Sequence, residues 1–167
     1  MIIGYQKVEE RLNKMTRMDL RPAVHEAIGL VQRSAKDLCP SHSGELRQSI
    51  YATTEQVEDV YRGTCYTNKK YGQYVEFGTG PNGQESHEGI SPEVAVAYSQ
   101  KGWMIPADAM SLGEAESYGF GIATGSDGQV IGYYTNGQAA HPFMYPALKN
   151  NEEEVTKIIS SQVRSQL

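Results

Sequence analysis

Near the C-terminal end of the chain, apolar positions recur at intervals of seven, three and four. Leu148, Val155, Ile158, Ile159 and Val163 share one face of an α-helix, and Asn150, Asn151, Glu152, Glu153 and Glu154 lie largely off it. Pro146 is tolerated at the start, because a first-turn N–H has no intrahelical partner to lose. The lead-in Gly137-Gln138-Ala139-Ala140-His141-Pro142-Phe143 reads as a chain that turns, anchors the ring of Phe143 and enters the helix. The pattern predicts an amphipathic C-terminal helix docked on a sheet.

The first forty residues carry the same periodicity. Val8, Leu12 and Met15 share a face in one helical piece, and Ala23, Ala27, Leu30, Val31, Ala35 and Leu38 continue a stripe in a second. Asp19 is placed to cap the second piece, Pro22 falls inside its first turn, and Pro40 ends it. Ser41-His42-Ser43-Gly44 reads as a polar turn. From Ile50 to about Tyr66 the period falls to two, with a break near Glu58-Asp59, which predicts an antiparallel hairpin. Residues 71–77 fit a strand or a short helix.

Residues 78–102 are a Gly-, Ser- and Glu-rich excursion with one short helix expected after the Ser91 cap and Pro92. Trp103-Met104-Ile105 reads as a strand, and 106–117 as irregular or locally helical. Residues 120–123 and 129–134 read as strands joined across Ser126-Asp127-Gly128, since Asp-Gly favours a tight turn. The order predicts an α+β fold: N-terminal and C-terminal helices packed on a small antiparallel β-sheet, with a long irregular or β insertion at about 81–136 of a single domain.

Composition narrows the function. At 167 residues the chain buries roughly two-thirds of its unfolded surface. No run approaches the ~20 apolar residues that cross a bilayer, and Met1 to Lys7 lacks the pattern of a secretory leader. The net charge of -5 argues against a protein that lives by gripping phosphates. Cys39 and Cys65 have no metal-ligand spacing; free thiols suit a reducing compartment, and the sequence leaves a pairing between them open. Eleven tyrosines against three phenylalanines suit surfaces half buried against a partner, although tyrosine is also a good strand former.

Reactive chemistry finds little support. Gly78-Thr79-Gly80-Pro81-Asn82-Gly83 matches G-x-G-x-x-G, but a dinucleotide loop must open a helix, and Gln84 to Gly89 offers no apolar face. Pro81 also removes a donor from any such cradle, so a flexible loop is expected. Cys39 with His42 or His25 lacks a nucleophile signature, and Cys39 reads as a small buried hydrophobe. His87 and His141 with Glu85 and Glu88 lack helical ligand spacing, which favours a solvated loop. Glu76, between Val75 and Phe77, has no identifiable acid or nucleophile partner and reads as a hydrogen-bonded cap for the loop that follows.

Three segments, in order, carry a resemblance. Ala35-Lys36-Asp37-Leu38-Cys39-Pro40 runs into Ser43-Gly44-Glu45-Leu46-Arg47-Gln48-Ser49-Ile50; next come Tyr71-Gly72-Gln73-Tyr74-Val75-Glu76-Phe77-Gly78-Thr79-Gly80 and the Gly137–Leu148 stretch. Over residues 20–80 and 137–165 the chain resembles the Hong Kong 97-like phage tail-component family, the tail-completion or head–tail joining (neck) proteins of long-tailed bacteriophages. Residues 81–136 are longer and more irregular than the family core.

The resemblance implies a non-enzymatic structural protein of the virion, made in the bacterial host cytoplasm and without cofactor or metal. It implies a homo-oligomeric, hexameric ring at the head–tail junction. Its partners would be its own copies, the tail terminator and the portal or head-closure ring, with genomic DNA passing through the lumen unbound and no membrane involved. The motif residues Gly44, Leu46, Tyr74, Glu76, Gly78, Pro142, Phe143 and Pro146 would then be structural. Other readings are a different phage morphogenesis component, such as a tail terminator or minor capsid protein, and a small hydrolase using Glu76, His87 or His141.

Overall fold

The computed structural model describes residues 5–15, 18–40 and 44–167. In chain order they form α1 (Tyr5–Met15), α2 (Arg21–Leu38), α3 (Glu45–Gln48), β1 (Ile50–Val57), β2 (Val60–Thr67), α4 (Gly72–Phe77), α5 (Gly80–Glu85), β3 (Trp103–Pro106), α6 (Leu112–Ser117), β4 (Gly121–Thr124), β5 (Val130–Thr135), α7 (Met144–Lys149) and α8 (Glu152–Gln166). The protein is α+β, with helices and small antiparallel sheets. Contacts divide it into two compact units, Met1–Lys70 with Phe143–Leu167, and Tyr71–Pro142. The stretch expected as an insertion, 81–136, lies inside the second unit. That unit is wider at both ends because Thr79 pairs with Gln138 and brings the flanking segments with it.

The first unit is built on α2. Pro22 sits in its first turn; Leu20 holds the N-cap position expected of Asp19, which lies one residue earlier and accepts the Arg21 N–H at 3.0 Å. Ala23, Ala27, Val31 and Ala35 recur every fourth residue and are buried. The β1–β2 hairpin packs against α2, in register from Ile50↔Thr67 to Val57↔Val60. Its turn places Glu58 at φ 54°. Approach is closest at Gly63, where a Cβ would lie 2.9 Å from Ile28 Cβ and 3.2 Å from Val24 Cγ1. Gln32 Nε2 donates to the Ile50 carbonyl at 2.8 Å, fixing the register of helix on strand. Short α3 leads into β1 after Gly44 at φ 75°, with Leu46 buried and the Ser49 hydroxyl 2.6 Å from Thr67 Oγ1. The expected turn at Ser41–Ser43 lies outside the described residues.

The C-terminal segment departs from the pattern read in the sequence. Two helices replace one, and α7 and α8 make their main contacts with α2 rather than with a sheet. The break has a polar cause: Asn151 Nδ2 donates to the Ala147 carbonyl at 2.7 Å, a bond that competes with continuation of the helix. Breaking the helix shifts its phase, so Leu148 is exposed and Ala147 is buried in its place. Val155, Ile158, Ile159 and Val163 stay together, half-buried. Phe143, fully buried, holds the N-cap position of α7, and Pro146 lies in that helix's first turn.

In the second unit, 71–77 is the helix α4. The helix expected after Ser91 is absent: the Val94 N–H reaches the Ser91 carbonyl at 3.3 Å for one turn, and residues 94–99 form no regular element. Tyr98 is instead held by the second unit's other segments: its hydroxyl donates to the Phe77 carbonyl at 2.8 Å and its ring stacks on His87. α6 starts with a capping box between Ser111 and Glu114, and those bonds hold the Glu114 carboxyl below its ordinary pKa. The sheet order is β3-β5-β4, all antiparallel, with Gly128 at φ 78° in the β4–β5 turn and Tyr133 buried on the central strand.

Two stability experiments follow from the packing of the first unit. Phe143→Ala is expected to cost about 3–5 kcal/mol in denaturant unfolding; a loss below about 1 kcal/mol would contradict the anchoring role. Gly63→Ala is expected to cost about 1–3 kcal/mol through crowding against Ile28 and Val24, and an unchanged midpoint would show that α2 can back away from the hairpin.

Candidate functional site

The side chains that could carry catalysis are dispersed. Cys39 is buried at the C-terminal cap of α2, with its thiol 3.7 Å from the Pro40 carbonyl. His25 is exposed on that helix, and His42 lies outside the described residues. Cys65 is half-buried; burial pushes its thiol above the ordinary pKa, against a weaker opposite pull from Lys36, so the nucleophilic thiolate is disfavoured. No disulfide joins the two cysteines.

His87 Nδ1 lies 3.2 Å from the Gly83 carbonyl, and its ring is 5.6 Å from that of Tyr98. His141, Glu85 and Glu88 are exposed. Among the described residues, no group of three His, Cys, Asp or Glu side chains could hold a metal ion. Glu76 is buried on α4.

What the structure does bring together is backbone. Segments 78–86 and 135–141 are laced into a clasp within the second unit. Thr79 and Gln138 exchange N–H···O bonds of 2.9 and 3.2 Å, and the Asn82 N–H meets the Asn136 carbonyl at 3.1 Å. The Ala140 N–H reaches the Ser86 carbonyl and the His141 N–H the Val75 carbonyl, both at 2.8 Å. Side chains finish the lacing: Gln138 Nε2 donates to the Tyr74 carbonyl at 2.8 Å and Asn82 Nδ2 to the Gly137 carbonyl at 3.0 Å.

Glycine makes this closeness possible. A Cβ on Gly78, at φ 73°, would lie 2.7 Å from Ala140 N, and one on Gly137, at φ 86°, would collide with the Thr79 carbonyl. The loop expected over 78–83 is therefore corrected. A short helix, α5, does open at Gly80, because Pro81 fits its first turn and the clasp holds its start. Gly80 and Gly83 are buried, and at six residues α5 is too short to gather a macrodipole for phosphate.

The motif residues thus fall in two places. Tyr74, Glu76, Gly78 and Pro142 belong to the second unit, and Gly44, Leu46, Phe143 and Pro146 to the first. Gln138 and Asn82 were missed as fasteners. Their signal was slight: two polar side chains beside glycines, more than fifty residues apart.

Residues 5–78 match the HK97-gp10_like family model, described as "Bacteriophage HK97-gp10, putative tail-component". Over this segment, a little under half of its length, the chain is similar to that family. The match runs from α1 through α4 and stops at Gly78, so the Gly137–Leu148 stretch lies outside it. Neither a curated protein nor a solved structure matches the chain.

The HK97-gp10-like segment presents a distinctive surface on the side of the hairpin turned away from α2. Four cross-strand pairs line it: Tyr51 with Tyr66, Thr53 with Thr64, Glu55 with Arg62, and Val57 with Val60. The tyrosine rings are 5.9 Å apart and more than two-fifths exposed, and Arg62 meets Glu55 at 3.5 Å. Opposite partners in an antiparallel pair share one face, so aromatic, ionic and aliphatic groups follow one another along a single exposed surface.

For the clasp, Gly78→Ala is expected to strip hydrogen-exchange protection from the Thr79 and Gln138 amides while leaving α2 protected. Equal protection of those amides in the variant and the parent would show that the glycine geometry is dispensable.

Proposed function

We propose that this protein is a bacteriophage tail component of the virion, and that it forms a hexameric ring at the head–tail junction and joins the tail to the head. Its partners in this reading are its own copies, the tail terminator on one side and the portal or head-closure ring on the other. The observation that carries it is the family match over residues 5–78 on a segment whose hairpin turns an aromatic face outward. A ring arises when one heterologous contact repeats until it closes, and such a contact needs a surface that the monomer leaves uncovered. A lumen that lets DNA slide must avoid clustered lysine and arginine, since phosphate contacts dominate affinity; a net charge of -5 suits that demand.

In this role the motif residues shape backbone and core, with no reactive group needed. Phe143 seats α7, Gly44 and Leu46 set the entry to the hairpin, and Gly78 lets the clasp close.

The deciding experiment is a particle study. Removing the protein from an otherwise complete phage is expected to yield filled heads and finished tails that stay unjoined, and adding purified protein is expected to restore joined particles. Antibody labelling of intact virions is expected at the neck. Labelling along the tail or over the capsid would assign a different morphogenetic station, and absence from finished virions would end the proposal.

A further inference from the structure

Among the described residues, helix α1 is an amphipathic element whose apolar side stays largely exposed. Tyr5, Val8, Leu12 and Met15 share one face, and each is 53–63% exposed. With 11 residues, α1 is shorter than the ~12–15 residues at which an isolated helix becomes even marginal in water, so its stripe needs a cover. The described residues of its own unit do not supply one. Lys14 Nζ donates to the Leu167 carbonyl at 3.2 Å, and Asp19 and Gln166 exchange two bonds of 3.1 and 3.0 Å, which tether α1 to the end of α8. Helix α8 packs on α2, whereas the outer face of the hairpin looks away from α2. One copy therefore exposes both an apolar helix stripe and an aromatic sheet face, and leaves them apart.

We infer that α1 of one copy packs across the outer β1–β2 face of the next. This rests on the reading that copies of the chain assemble, and it names the contact that would repeat. Charge favours it: α1 carries more basic than acidic residues, and the hairpin with its turn carries the reverse. Extent favours it too. The four α1 side chains and Tyr51, Val57, Val60 and Tyr66 of the hairpin are each 41–63% exposed, so each side offers a contiguous uncovered apolar face from which an interface of about 1,000 Å², the threshold for a specific one, can be built. The contact is heterologous, because the two surfaces differ, so it propagates from copy to copy and does not stop at a pair.

A photo-activated cross-linker placed at Leu12 of the full-length protein tests this. Nitrogen-14 and nitrogen-15 preparations are mixed, irradiated and mapped by mass spectrometry. The expected product joins position 12 to a peptide within 51–66 of a copy carrying the other isotope. In parallel, Leu12→Glu and Tyr66→Glu, both at exposed positions, are each expected to weaken self-association at least tenfold in sedimentation, with an unchanged circular dichroism spectrum.

Cross-links between two α1 helices, cross-links confined to one copy, or a wild-type protein that stays monomeric at every accessible concentration would each overturn the inference. A closed wild-type assembly that cross-links elsewhere would refute this contact and leave the ring standing. The expected cross-link in a protein absent from the neck would do the opposite.

Discussion

The first unit depends on the small side chains along α2. Ala23, Ala27, Val31 and Ala35 are buried, and α2 touches the hairpin, α7 and α8. Alanine brings little apolar area of its own, but it lets neighbouring elements come close, and packing at interior density punishes any change of volume. Gly63 performs the same service from the strand side, meeting Ile28 and Val24 where a methyl group would not fit. Large buried side chains are few, with Phe143 and Ile50 the largest of those fully enclosed. Stability here comes from close approach around one shared helix, so a disturbance of α2 reaches the hairpin and the C-terminal helices together.

The second unit is held differently. Among its buried residues are Gly72, Gly78, Gly80, Gly83, Ala115, Gly132, Tyr133 and Thr135. This set is poor in large apolar side chains, and the hydrogen-bonded clasp and the three-stranded sheet supply the organisation. Backbone N–H and C=O groups withdrawn from water must find partners, and the glycines at 78, 80, 83 and 137 let two distant segments satisfy each other directly.

The proposed function rests on surfaces more than on cavities. A thiol kept protonated by burial, histidines spread over separate elements and a glycine motif closed on itself give catalysis no assembled centre among the described residues. The tyrosine pair on the hairpin and the uncovered stripe of α1 are groups that fold into regular elements and still face outward. In the proposed ring such surfaces are where neighbouring copies would act.

Much of this was legible in the chain. The stripe of α2, the proline at its start, the hairpin about Glu58-Asp59 and the strands around Asp127-Gly128 follow from periodicity and turn chemistry, which are local and act through adjacent residues. Three features were not. The C-terminal helix breaks at Asn150-Asn151 because one asparagine side chain reaches a carbonyl four residues back; the apolar pattern, which runs straight through, carries no trace of that. The stretch after Ser91 forms no helix where Tyr98 bonds to Phe77, and α5 forms where residues 136–138 hold its start. In these cases local propensity was nearly balanced, and a hydrogen bond to another part of the chain tipped it. The sequence by itself determined the α+β class, the main apolar faces and the family likeness. The tertiary structure alone decided which faces are covered and which glycines meet, since both depend on residues far apart in the chain coming within a few ångströms.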